Sequence, residues 1–276
     1  MRELVGLVRA CDVYWHNNLS LRTAWPQIFC RRRFVITHQG SYCYSNGRLD
    51  VLNQVKHVIA NHSCSVAISG AVAACFNTKS IVIPNPYAAD IFVTTRESPR
   101  RGKDLVFVGR LVSEKGADIL LNALALLRRE GFSPTCTIVG SGPEEGRLRR
   151  LCSELALDGQ VVFTGARSGH ELAALMNEHR IMVVPSRYAE PFGIVALEGI
   201  ACGCVVVASG GGGLPEAVGP CGLTFRNGNV AELTSVLSDL LGHASKCLQL
   251  TAHAQQHLEN FQPSVIADAY LRIFRT

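Results

Sequence analysis

The sequence predicts an α/β protein of two doubly wound domains, each a parallel sheet with helices on both faces. Three observations carry that prediction. Short β-branched runs alternate with runs of helical periodicity along most of the 276 residues. The alternation breaks at one polar, Pro- and Gly-containing stretch, TTRESPRRGK (94–103), and then restarts. Glycines recur just after the strands of the second half, where open parallel sheets bind ligands.

The first half opens on a helical segment, 2–10. DVYWH (12–16) and FVITH (34–38) read as short buried strands, and 19–30 between them is apolar at helical spacing. SVAIS (65–69) and SIVIP (80–84) are two further strands, each closed by a turn or polar residue. After the break, DLVFVG (104–109) is a strand and 117–130 a helix, with leucines at 120, 121, 124, 126 and 127. TCTIVG (135–140), QVVFTG (160–165), RIMVVPS (180–186) and CVVVAS (204–209) are strands. Helices fill 144–155, 170–178 and 193–201 between them, and residues from 230 on are mostly helical. The first half thus carries about four strands and the second at least five. A doubly wound domain normally begins with a strand at its centre, so the front of the first domain is expected to be missing.

Composition narrows the function classes. Hydrophobic residues make up 47% and charged residues 18%, enough apolar material for sizeable cores. No uninterrupted apolar stretch reaches the roughly 20 residues of a membrane-spanning helix. The longest candidate, 193–214, contains Glu198 and a run of glycines. The charged opening, MRELVGLVRACD, does not fit a secretory signal. Eleven scattered cysteines, with Cys202 and Cys204 as a CxC pair, fit neither a zinc site nor a disulfide framework, so a reducing, cytoplasmic compartment is expected. A net charge of +5 is too weak to argue for nucleic acid and suits an anionic small ligand or an anionic membrane face.

The loops after the second-half strands hold the chemistry. Arg110 and Lys115 flank one turn (GRLVSEKG) and can clamp a diphosphate; a solvated loop is the bland alternative. In EPFGIVALE, Glu190 and Glu198 stand with seven residues between them. A helix starting near Gly193 would offer the N–H groups of Gly193, Ile194 and Val195 to an anion. Glu198 would lie about 7–8 Å further along its axis. That spread suits a ligand with a diphosphate in the middle, a ribose at one end and a second polyol at the other. Glu198 is also an unusual carboxylate on an otherwise apolar helix. GSGPEEG (140–146) imitates a dinucleotide fingerprint, but no acid follows the next strand to hold a ribose, which argues against NAD. The SGGGGLPEAVG loop (209–219) lets backbone approach a ligand closely, and Glu216 caps the helix behind it. His16 and His38 each end a first-half strand and are either packed or functional.

Taken together, GRLVSEKG, IVGSGP, VVPSRYAEPFGIVALEGIACG and GGLPEAVG resemble the retaining glycosyltransferases of family 4. DVYWHNN, VITHQG and IPNPYAADIF extend the likeness thinly into the first half, and FQPSVIADAYLRIF (261–274) resembles the family's final helix. The resemblance implies a GT-B-like fold, with two Rossmann-like doubly wound domains facing a cleft and the first one truncated. Residues 1–95 would be a partial N-terminal, acceptor-side domain, 96–260 the nucleotide-sugar domain, and 261–276 a helix crossing back. The resemblance implies that Arg110, Lys115 and the 193–195 helix start bind the donor diphosphate. It places Glu198 on the ribose, Glu190 on the transferred sugar and His38 near the reacting carbon, with His16 a weaker carry-over. Loops at Gly140 and Gly142 and at Gly165 and Arg167 would frame the base. The implied reaction moves a sugar from a UDP- or GDP-sugar to an acceptor hydroxyl with retained configuration, without metal or cofactor, in glycan or glycoconjugate biosynthesis. A nucleotide-sugar-binding fragment or subunit without catalysis is the alternative; a sugar-nucleotide epimerase fits EPFGIVALE less well. The acceptor, whether glycan, lipid-linked or small molecule, is not specified.

One cluster stays open between two readings. Trp25, Ile28, Phe29 and Phe34 surround Arg31, Arg32 and Arg33. Either the arginines are a solvated turn and the aromatics face the core, or the cluster rests on the anionic inner face of a membrane as a peripheral contact.

Overall fold

The computed structural model describes residues 2–30, 32–40, 51–76, 79–95 and 101–275. The chain divides into two compact units. Unit 1 runs to Asn85 and includes the residues from Ile266 on; unit 2 is Pro86–Val265. Residues 96–100, the middle of the sequence break, and Arg31 lie outside the described residues.

Unit 1 is a four-stranded parallel sheet, β1 (Val13–Asn17), β2 (Arg33–His38), β3 (Cys64–Ala67) and β4 (Ile81–Val82), in that order across the sheet. Its helices are α1 (Arg2–Ala10), α2 (Leu21–Ala24), α3 (Gln27–Cys30), α4 (Val51–Asn61) and α5 (Gly70–Ala73). The helix expected over 19–30 is two short ones. Pro26 lacks the N–H that a continuous helix would use there, and the chain restarts with Cys30 N–H donating to Pro26 O at 3.0 Å. The strand expected over 80–84 shrinks to two exposed residues at the sheet edge. Unit 1's core joins Val35, Val66 and Ile83 to Ile266 and Ile273, which lie on the long carboxy-terminal helix (Pro263–Arg275). Trp15 Nε1 donates to Thr37 Oγ1 at 2.9 Å, and Tyr270 OH lies 2.8 Å from that same oxygen.

Unit 2 is a six-stranded parallel sheet: β5 (Lys103–Val108), β6 (Cys136–Val139), β7 (Val161–Gly165), β8 (His179–Val184), β9 (Val205–Ser209) and β10 (Gly222–Phe225). The helices between them are α6 (Ala117–Arg129), α7 (Glu145–Glu154), α8 (Gly169–Asn177), α9 (Ile194–Ala201) and α10 (Leu214–Val218); α11 (Val230–Gly242), α12 (Ala244–Thr251) and α13 (Ala254–Glu259) follow, which makes the carboxy-terminal helix α14. The leucine stripe of α6 behaves as its spacing predicts: Leu120, Leu121, Leu124 and Leu127 are fully buried. All five residues of β9 are buried, as a central parallel strand with helices on both faces requires. The order across the sheet is β10-β9-β8-β5-β6-β7. From β5 the chain winds outward to β7, then returns to build the other half from β8. The turning point lies between β5 and β8, and the carboxyl ends of these two strands open the crevice where doubly wound sheets bind ligands.

Candidate functional site

The two loops at that crevice are 109–116 after β5 and 185–193 after β8. A 3₁₀ turn, Ser113–Lys115, leads into Gly116, whose φ of +68° ends the turn and starts α6. A Cβ at Gly116 would meet Pro185 O at 2.1 Å, so only glycine lets the two loops touch. Lys115 Nζ then reaches Glu190 Oε1 at 2.8 Å. Ser186 Oγ donates to the same oxygen, and the Tyr188 ring lies 5.4 Å from the ammonium. Glu190 is 6% exposed, while the Lys115 side chain keeps 21% of its surface in solvent. The structure thus joins one predicted cation to one predicted carboxylate. Ser186 and Tyr188 escape a motif reading because neither type marks a site by itself.

The SGGGGLPEAVG loop packs against the loop after β8. Two of its glycines, Gly212 and Gly213, admit the chain's own backbone. Cβ atoms at Gly212 and Gly213 would lie 2.1 Å from Glu190 O and 2.3 Å from Pro191 O. Gly213 N–H donates to Glu190 O at 2.7 Å, so this loop braces Glu190 from behind.

Arg110 is exposed and makes no side-chain hydrogen bond or ion pair among the described residues. It lines a cavity of about 190 Å³ with Gly109, Gly140, Ser141, Ala166 and Arg167. Gly140 N–H donates to Gly165 O at 2.9 Å, and its φ of +143° brings it against Gly109. Of the predicted base-framing residues, Gly140 and Arg167 line this cavity with Arg110, and Gly165 is bonded to its wall. Gly142 packs beneath, against Leu111 O.

Gly193 caps α9 with a φ of +114°, so Ile194 and Val195 lie in the first turn, where N–H groups have no partner within the helix. Glu198 sits one turn further on, partly buried, and its carboxylate makes no hydrogen bond or ion pair with a described residue. Burial raises its pKa. Gly199 explains the close seat of α9 on the sheet, since a Cβ there would lie 2.3 Å from Met182 Sδ.

The two histidines belong to unit 1. His38 is fully buried, with its ring stacked 4.0 Å from that of Phe76 and its Nε2 at 3.3 Å from Ser65 Oγ. Burial, helped by nearby His57, lowers its pKa to about 4 and keeps it neutral. His16 is 7% exposed, edge-on to Tyr14 and Phe34, and burial lowers its pKa as well.

The aromatic and arginine cluster divides between its two readings. Phe34 faces inward at 7% exposure, whereas Ile28 and Phe29 stand 73% and 66% exposed. With Trp25, Phe34, Val55 and Val58, Ile28 lines an apolar trough of about 570 Å³. The described helices include none long and apolar enough to cross a membrane.

Comparison with known proteins fits this geometry. Residues 93–257 match the family of glycosyl transferases group 1. The chain is 34% identical over 180 residues to D-inositol 3-phosphate glycosyltransferase of Rhodococcus opacus, covering 62% of this chain and 40% of that protein. It is 32% identical over 219 residues to glycogen synthase of Mycobacterium tuberculosis, covering 77% of this chain and 53% of that one. The matches thus span about half or less of these curated relatives. The crystal structure of HepE from Anabaena, solved in complex with UDP, superposes on 99% of this chain and 81% of its own, with a TM-score of 0.87 and 22% identity. The two parallel sheets are those of the GT-B fold.

Proposed function

This chain belongs to the glycosyl transferases group 1 family, and on that premise we propose that it binds a nucleoside diphosphate sugar and transfers the sugar to an acceptor hydroxyl with retained configuration. The observation that carries the reading is the Lys115–Glu190 contact at the turning point of the unit 2 sheet, 2.8 Å long and braced from behind by the glycine loop. On one side lies the Arg110 cavity and on the other the start of α9.

Each group then has a task set by its chemistry. Lys115 and Arg110 take the negative charge of the diphosphate, and the N–H groups at Gly193, Ile194 and Val195 meet it at the helix end. As the bond between sugar and phosphate breaks, charge gathers on the leaving phosphate, and fixed cations stabilise it without reorganising. These cations supply the charge that a divalent metal would otherwise bring, which supports a metal-independent reaction. Glu190, held against Lys115 and Ser186, accepts hydrogen bonds from sugar hydroxyls. Glu198 has an unoccupied carboxylate for the two ribose hydroxyls. The small cavity between Arg110 and Arg167 takes the base. His38 stays neutral, so its role is to hold a packed strand end or to accept a hydrogen bond, and not to supply a cation.

Calorimetry with UDP and GDP tests the binding step. Binding of at least one, unchanged by chelator, is expected; binding of neither, or binding abolished by chelator, overturns the reading. NMR of the product formed from a UDP- or GDP-sugar and a simple acceptor tests retention. Nucleotide binding with no transfer to any acceptor would favour a nucleotide-sugar-binding subunit.

A further inference from the structure

Asp118 is the second residue of α6, and its side chain is only 13% exposed. Its two oxygens accept both arms of the Arg187 guanidinium, at 2.6 and 2.7 Å. Arg147, from α7, lies 3.5 Å from Oδ2 and also bonds Glu144. Arg187 reaches further into the loop after β5. Its Nη1 donates to Ser113 O at 3.0 Å and its backbone N–H to Glu114 O at 2.8 Å. The loop after β6 is tied in as well, with Leu111 N–H donating to Ser141 O at 2.9 Å and Glu144 N–H to Leu111 O at 3.0 Å. Asn227, which follows β10, donates to Arg187 O and Tyr188 O at 3.4 and 3.3 Å.

One carboxylate therefore sits where three loops meet. These are the loops that carry Arg110 and Lys115, Gly140, and Glu190. None of Asp118, Arg147 and Arg187 lines the cavity beside Arg110. We propose that Asp118 is a positioning residue for the donor site, the shared anchor that locks the loops after β5, β6 and β8 into one frame before ligand arrives. The proposal rests on the donor-site reading given above.

The geometry favours a fork over a simple charge. A guanidinium held at two oxygens fixes direction as well as distance, and a lysine does not reproduce it. The arginines push the Asp118 pKa down despite burial, which on its own would raise it. An acid in the first turn of a helix is also favoured by the helix dipole, and that simpler role predicts a change in stability alone.

The test uses the full chain with UDP as the probe. Asp118→Asn and Arg187→Lys should each weaken UDP binding by about tenfold, as expected for losing charge-assisted bonds that order a site. The double variant should bind about as weakly as either single one, because both changes break the same fork. Far-UV circular dichroism should be unchanged. Hydrogen exchange measured without ligand should quicken at 113–116 and 186–190 in Asp118→Asn. UDP binding by the variants equal to that of the parent chain, or fully additive losses, would overturn the proposal. So would unchanged exchange in those loops, and that readout needs no nucleotide. If the parent chain binds neither UDP nor GDP, the donor-site reading fails, while the exchange result still decides whether Asp118 frames the loops.

Discussion

Lys115→Met should destabilise unit 2 more than Glu190→Gln, and the double variant should lose less than the sum of the two. The asymmetry follows from burial. Glu190 is 6% exposed, so removing its cation leaves a buried carboxylate with Ser186 as its remaining side-chain donor. Breaking a fully buried pair costs about 3–5 kcal/mol. Here Lys115 keeps 21% of its side chain in water and Ser186 still donates, so about 2 kcal/mol is expected. Glu190→Gln leaves an amide that still accepts from Ser186, and a lysine that can turn to solvent, at a cost of about 1 kcal/mol. With both charges gone, the double variant should lose about 2 kcal/mol instead of about 3, a coupling of about 1 kcal/mol. Urea titration followed by circular dichroism measures this. Tryptophan fluorescence does not, because both tryptophans, Trp15 and Trp25, belong to unit 1. A coupling below about 0.3 kcal/mol, within the error of additivity, would show that the two groups are solvated separately and would remove the contact on which the site is built.

Two further predictions concern titration. Glu198 has a raised folded pKa, so its charged form penalises the fold above that pKa and not at low pH. Glu198→Gln should therefore stabilise the protein at pH 7 by up to about 1 kcal/mol, lose that gain near pH 4, and weaken UDP binding by about 1–3 kcal/mol. Unchanged nucleotide affinity in calorimetry would remove Glu198 from the site. His38 has a folded pKa of about 4, below its unfolded value, so the unfolded chain takes up a proton that the folded chain refuses. Unit 1 should lose about 3 kcal/mol through this group as pH falls from about 6.5 to 4. Tryptophan fluorescence in urea reads that slope, and His38→Gln should flatten it by about one proton's worth; an unaltered slope would show that the ring is not held neutral.

Much of unit 2 is legible in the sequence, because its strands are long β-branched runs and its α6 carries an unbroken leucine stripe. Those patterns record burial on both faces of a parallel sheet, and burial is written residue by residue. β10 escapes notice because four residues, Gly222–Phe225, following a Pro-Cys pair carry too little periodicity to register. In unit 1, α4 and α5 are missed. On α4 the apolar residues Val51, Leu52, Val55 and Val58 stand at helical spacing, so a signal was present there, and the structure leaves that stripe exposed. The 19–30 segment has helical spacing, but the break at Pro26 decides its shape.

For the site, spacing alone singled out Arg110, Lys115, Glu190 and Glu198, since charged residues just after strands or on an apolar helix are costly without a purpose. Which of them meet was decided by tertiary structure. Lys115 and Glu190 are 75 residues apart in the chain and join only because β5 and β8 are neighbours. Glu198 was left unpaired by the same packing. That Gly212 and Gly213 of the glycine run also brace the backbone of Glu190 and Pro191 was set by tertiary packing. Asp118 and Arg187, 69 positions apart, carry no local signature at all. A side chain's own burial and charge can be inferred from its neighbours in sequence, but a partner brought in by strand order cannot, because that order is set by the whole sheet.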